Sequence, residues 1–315
     1  MLISTTDAII AHQALEALGQ TGLRFALLHG EADLQVGDSI SDLDIVVEGR
    51  SLDAIRRALP SLHRVGLHPI ALWSYDVAET LTAFISDVDA GRGVQVDLLS
   101  DRRGEGKYGI RSLAVLDHAT MGHSWPTVSH VPQILYAIRK RQVKRQHGRL
   151  EPLIAEARGI PADELASVAK EIFSFPVARD VLRLIRIFPQ WVDPEMVPGY
   201  RGRRLLVGTR RLLSPVGFWV EIHGGAEARE LCQGLADRFG RFLPYRACSP
   251  RPMGLGGEMR WFLRQVAPIR WRPGLIVSWT PRRSRWLNPD LTVEPEGVEQ
   301  AARKVVQAME GRLGL

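Results

Sequence analysis

One stretch constrains this chain more than any other. Leu27-Leu28-His29-Gly30 is followed by a polar loop, Ala32 to Ser41, and then by Asp42-Leu43-Asp44-Ile45-Val46-Val47. An apolar run ends on a glycine, and a second apolar run opens with two aspartates one residue apart. Side chains alternate faces along a strand, so Asp42 and Asp44 share one face while Leu43 and Ile45 take the other. Two carboxylates that close repel each other and lose hydration unless a cation lies between them. The plainer alternative makes Asp42 a cap at the start of the strand and leaves Asp44 on the solvated face of a half-exposed sheet.

A cation for such a pair is hard and oxygen-seeking. Magnesium fits, because it binds one or two carboxylates and completes its shell with substrate phosphates and water. Further along, Val94-Gln95-Val96-Asp97-Leu98-Leu99-Ser100 reads as another strand, and alternation sets Asp97 on the face opposite Val96 and Leu98. Placed beside the first pair, Asp97 completes a three-carboxylate set for two ions, Mg2+ or Mn2+.

The rest of the chain divides by pattern. Thr5 or Thr6 caps a helix through Ile9, Ile10, Leu15 and Leu18 that Gly19 stops. Ser51 opens a short helix, and the segments Leu81–Asp87 and Val94–Ser100 form a hairpin across a glycine-containing turn. Residues 1–125 therefore read as a small mixed α/β domain. From Val131 to Phe188 the apolar spacing is helical, giving a helical segment over 126–200 that ends in an irregular linker, Pro189 to Arg204. A third lobe, 212–315, has a strand in Gly217–Ile222, a glycine pair, a helix from Ala226, and a closing amphipathic helix from Gly297.

The apolar strand ending at Gly30, the loop, Asp42-Leu43-Asp44 and the later Asp97 together resemble the nucleotidyltransferase fold of the DNA polymerase beta superfamily, over the first third of the chain. The resemblance implies that Asp42, Asp44 and Asp97 are catalytic metal ligands. It implies a nucleoside triphosphate co-substrate held near Gly30, Glu31 and Ser41, with its α-phosphorus attacked in line by an acceptor hydroxyl. Glu31 departs from the pattern, standing where the family has a small Ser or Gly beside the triphosphate. The third lobe resembles the thymidylate-kinase-like P-loop domain fused to such domains in some bacterial proteins. A phosphate-binding P-loop needs G-x-x-x-x-G-K-[ST]. Here Ala228, Arg229 and Glu230 stand at its second Gly, Lys and hydroxyl positions, so the lobe reads as a degenerate kinase-like unit.

Other features admit two readings. The run Arg139 to Arg149 carries six basic side chains in eleven positions. It is a solvated helix face, or Arg139 and Lys140 reach the triphosphate. Trp261, Trp271, Trp279 and Trp286, interleaved with arginines, either pack under the arginine stems or stack on nucleic-acid bases. His118, His123 and His130 share no spacing that makes them converge.

Bulk properties narrow the classes. Lys plus Arg exceed Asp plus Glu by 41 to 35 in 315 residues, a mild excess that suits an anionic nucleotide without requiring nucleic acid. Two cysteines without metal-ligand spacing exclude a disulfide scaffold and fit a reducing cytoplasm. No apolar run approaches the roughly 20 residues that span a bilayer. The expectation is an α/β (α+β) protein that moves a nucleotidyl group from an NTP to an acceptor hydroxyl. The rival is a non-catalytic binding or scaffold protein that keeps both folds.

Overall fold

The structure, a computed structural model, describes residues 7–28, 42–74, 81–87, 89, 92–213, 217–239, 243, 245–270, 274–281 and 287–313. Gly30, Glu31 and Ser41 lie outside the described residues, as do Thr5, Thr6, Trp271 and Trp286.

The protein is mixed α/β. α1 (Asp7–Gly19) leads to β1 (Phe25–Leu27), β2 (Leu43–Val47) and α2 (Ser51–Arg64). Then come β3 (Leu67–Ser74), β4 (Leu81–Asp87) and β5 (Arg92–Leu99), with β4 and β5 forming the expected hairpin. α3 (Ser112–Asp117) precedes a short hairpin of β6 (Ala119–Met121) and β7 (Pro126–Val128). These strands make one sheet in the order β3-β4-β5-β2-β1-β7-β6. β2 pairs parallel to β5, and β1 parallel to β7.

Alternation divides the sheet's two faces. Leu43, Ile45 and Val47 of β2, with Val94, Val96 and Leu98 of β5, join the core beneath α1 and α2. Val46 and Leu99 face the other way, into a core shared with the helical segment. That segment comprises α4 (His130–Val143), α5 (Glu151–Arg158), α6 (Ala162–Ile172) and α7 (Phe175–Ile187). The first sheet therefore runs to Val128, and the helices cap one of its faces.

The irregular stretch after α7 ends sooner than the sequence suggests, because α8 (Tyr200–Leu213) begins at Tyr200. Tyr200 is buried, and Arg203 donates to the carbonyls of Glu105 and Pro198, which anchors this polar helix start. The third lobe contains β8 (Phe218–His223), α9 (Ala226–Phe239), β9 (Tyr245–Pro250), α10 (Leu255–Trp261), β10 (Gly274–Thr280), β11 (Leu291–Val293) and α11 (Val298–Leu313). Its four strands are all parallel, in the order β11-β8-β10-β9. Parallel strands buried on both faces need continuous apolar runs, and the Phe218–Val220 and Leu275–Val277 segments supply them. Among the described residues, no helix is long and apolar enough to cross a membrane.

Candidate active site

Register brings the aspartates together. In the parallel pair β2–β5, Asp44 stands directly beside Asp97. Both alternate with residues of the α1/α2 core, so both point toward the helical layer, as Val46 and Leu99 do. Asp42 lies two residues before Asp44 at the mouth of β2. One carboxylate oxygen from each of Asp42, Asp44 and Asp97 lies within 4.8 Å of the other two. Asp44 is 1% exposed and Asp97 7%, while Asp42 is half-buried at the opening.

α4 crosses this face and contributes Lys140. Its ammonium donates a hydrogen bond to Asp44 Oδ2 and lies 3.8 Å from Asp42 Oδ2. Burial opposes the charge on Lys140, but Asp44, Asp42 and Asp97 together outweigh it and hold the ammonium above its ordinary pKa. One helical turn earlier, the Tyr136 ring lies 5.7 Å from the Lys140 ammonium. One turn later comes Lys144, exposed at the rim. Partial desolvation and Lys140 push its pKa down, against the pull of Asp42 and Asp44. Gln95, two residues before Asp97 on the same face, donates to Asp97 Oδ1 at 3.2 Å and orients that carboxylate.

Arg139 goes elsewhere. It is fully buried, and its guanidinium donates to Gln142 Oε1 at 3.0 Å and to the Glu195 carbonyl at 2.7 Å. Burial lowers its pKa to about 10, with Asp180 and Glu195 opposing, so it remains charged at neutral pH. It ties α4 to the stretch after α7. Of the basic run, Lys140 and Lys144 both interact electrostatically with Asp42 and Asp44. Lys144 and Gln95 were legible as the i+4 neighbour of Lys140 and the i−2 neighbour of Asp97.

The donor set fits a hard cation. Three carboxylates converging within 4.8 Å, two of them buried, offer oxygen alone. The Lys140 ammonium meets the same carboxylates that an ion would use.

The other expected features fall apart from this cleft. Trp261 packs on Trp219 at 5.6 Å and donates to Ser249 Oγ, and Trp279 lies against the third lobe's core, so these two tryptophans are packing residues. His118 and His130 face separate carboxylates, Glu171 and Glu156. After β8, Arg229 and Glu230 are exposed on α9 and Ala228 is buried. The carboxyl end of β8 is filled by Glu221, paired with Arg251 at 2.8 Å, both nearly inaccessible.

No family model matches the chain, and no curated protein matches it. Among solved structures, the chain is similar to the Thermotoga maritima CCA-adding enzyme complexed with tRNA_CCA, at 16% identity and a TM-score of 0.22. The match covers 72% of this chain and 56% of that one, so the chain spans a little over half of its length. So loose an overlap transfers no residue roles.

Proposed function

We propose that the protein is a metal-dependent nucleotidyltransferase, moving a nucleotidyl group from an NTP to a hydroxyl of an acceptor. The observation that carries this reading is the convergence of Asp42, Asp44 and Asp97 on the face of β2 and β5 that meets the helical layer. Asp42 and Asp44 would hold Mg2+ or Mn2+, and Asp97, oriented by Gln95, would complete the set and take the acceptor's proton. A divalent ion bound there supplies charge neutralisation at the reacting phosphate and lowers the pKa of the attacking hydroxyl. Lys140, which bonds Asp44, would lie beside the ion and would offer its positive charge to the triphosphate. Gly30, Glu31 and Ser41 are proposed to contact the same triphosphate. The domain bounds 1–125, 126–200 and 212–315 belong to this reading, with the third lobe a kinase-like unit that has no phosphate chemistry of its own.

The test uses α-labelled NTPs, Mg2+ or Mn2+, and a lysate as acceptor source. Label should move to a new species with the wild type and not with Asp42→Asn/Asp44→Asn. Absence of transfer by both proteins, together with absence of metal-dependent nucleotide binding, would overturn the proposal. One observation favours a second reading, a binding protein without turnover. The Lys140 ammonium already neutralises Asp44, as it would in a fold that had exchanged its metal for a fixed cation. Nucleotide binding that ignores Mg2+ would select that reading.

A further inference from the structure

A second group of metal-ligating side chains converges among the described residues, away from the aspartates: His63, His68 and Glu310. His63 sits in the last turn of α2 and His68 near the start of β3. Gly66 turns the chain between them at φ +73°, a left-handed conformation that favours glycine. Glu310 arrives from α11, at the far end of the sequence.

The geometry is close to that of a ligated ion. His63 Nε2 lies 2.9 Å and His68 Nδ1 3.0 Å from the same Glu310 Oε1. Tetrahedral bonds of about 2.0–2.1 Å put neighbouring ligand atoms roughly 3.3 Å apart. Both nitrogen–oxygen separations are thus within a few tenths of an ångström of those in a ligated set, and the two imidazole nitrogens lie within 4.8 Å of each other. The donors are also right for a borderline metal. Two imidazole nitrogens and one carboxylate oxygen leave a fourth position open, the pattern of three-ligand zinc sites. The side chains of His63 and His68 are 40% and 31% exposed, so solvent reaches the site. A hollow of about 190 Å3, bordered by Gly66, His68, Asp89, Arg303, Val306 and Gln307, reaches one of the three ligands, His68.

We propose that His63, His68 and Glu310 bind one zinc-class divalent ion, which clasps the C-terminal helix α11 onto the α2–β3 turn of the first domain. This site is independent of the aspartate cluster. It selects for nitrogen-preferring transition metals, while the all-oxygen cluster selects for Mg2+ or Mn2+.

The test titrates the chelator-stripped full-length protein with Co2+, a spectroscopic substitute for Zn2+, in millimolar Mg2+ to fill the oxygen site. One equivalent should bind with the visible absorption of four-coordinate Co2+, in both wild type and Asp42→Asn/Asp44→Asn. His63→Gln/His68→Gln should lose at least tenfold in affinity, and so should His63→Gln alone, a change at the most exposed ligand that leaves the fold intact. Zn2+ should raise the melting temperature of the wild type and of the aspartate variant, but not of the histidine variants. Unchanged Co2+ affinity in His63→Gln and the double variant, or uptake without the four-coordinate spectrum, would overturn the proposal and leave a hydrogen-bonded clasp.

Discussion

Lys140 is the residue on which the chemistry of the cluster turns. Its side chain is 8% exposed and that of its partner Asp44 only 1%, so neither charge has water to fall back on. Removing one member of a buried pair leaves the other uncompensated, at a cost of about 3–5 kcal/mol. Lys140→Met should therefore lower stability by that order in chelator, as read by urea melts. The same variant should bind Mn2+ more tightly than wild type, because the ion no longer displaces an ammonium, and Mn2+ should restore much of the lost stability. Weaker Mn2+ binding in Lys140→Met would mean that the lysine orients the carboxylates without competing for them. The aspartates themselves were legible in the sequence, since period-2 alternation places Asp42 and Asp44 on one face without any tertiary knowledge. Arg139 was not. Adjacent positions on a helix diverge by about 100°, and only the packing of α4 decides that Lys140 meets the aspartates while Arg139 meets Gln142 and Glu195.

At the scale of elements, the cluster depends on the connection that leaves β5 and fixes the helical layer. Asp101 accepts backbone N–H bonds from Arg103, Glu105 and Gly106, and the segment then turns at Gly109, φ +64°. A Cβ at Gly109 would stand 2.6 Å from Val177 Cγ2 and 3.1 Å from Ser174 Oγ on α7's approach. Gly109→Ala thus adds a clash to a strained backbone and should cost about 2–4 kcal/mol in chemical denaturation. A cost under about 0.5 kcal/mol would show that the loop gives way freely. α11 offers a test by pH. Burial alone would raise the pKa of Glu310, but hydrogen bonds and charge from His68 and His63 outweigh it and hold the carboxylate below its ordinary 4.5. Because the folded value is depressed, the stabilisation is complete above pH 4.5 and is lost as the pH falls through the lower folded value. In chelator, Glu310→Gln should flatten that acid limb of the stability profile, and an unchanged slope would remove Glu310 from the account. Elements such as β2, β5, α9 and α11 were readable from their apolar spacing, and α1 from its apolar residues and the Gly19 that ends it. β3 was not: Pro69 interrupts its alternation and its pairing register shifts between Pro69 and Ala71. β6 and β7, three residues each, take their conformation from pairing with each other and with β1.

Across the whole molecule, the same irregularity in β3 joins the lobes. Consecutive strand residues ordinarily face opposite ways, yet Ile70 and Ala71 both enter the third lobe's core, with Phe218, Val305 and Met309. The contact also covers an edge strand, since β3 ends the first sheet and an uncovered edge invites pairing with other chains. Polar links flank this apolar seam: Arg238 donates to the Asp89 carbonyl at 2.5 Å, and Arg303 meets the Asp89 carboxylate at 3.3 Å. Exposed pairs of this kind contribute little, so the apolar seam carries most of the coupling, with Ile70, 2% exposed, its larger side chain from β3. The lobes should therefore unfold together, in one calorimetric transition. Ile70→Asp buries a charge with no partner in that seam, at about 3–5 kcal/mol if the seam stays closed. Opening the seam relieves that cost, so the variant should melt in two steps, the first sheet with its helical layer separating from the parallel lobe, and should aggregate more readily through the uncovered β3. Ile70→Val, which keeps an apolar side chain there, should retain the single transition with a loss of about 1 kcal/mol. A single transition at the wild-type temperature in Ile70→Asp would show that Ile70 does not carry the coupling, and would shift it to the other contacts of the seam, Ala71, Asp89 and the His63–His68–Glu310 clasp among them.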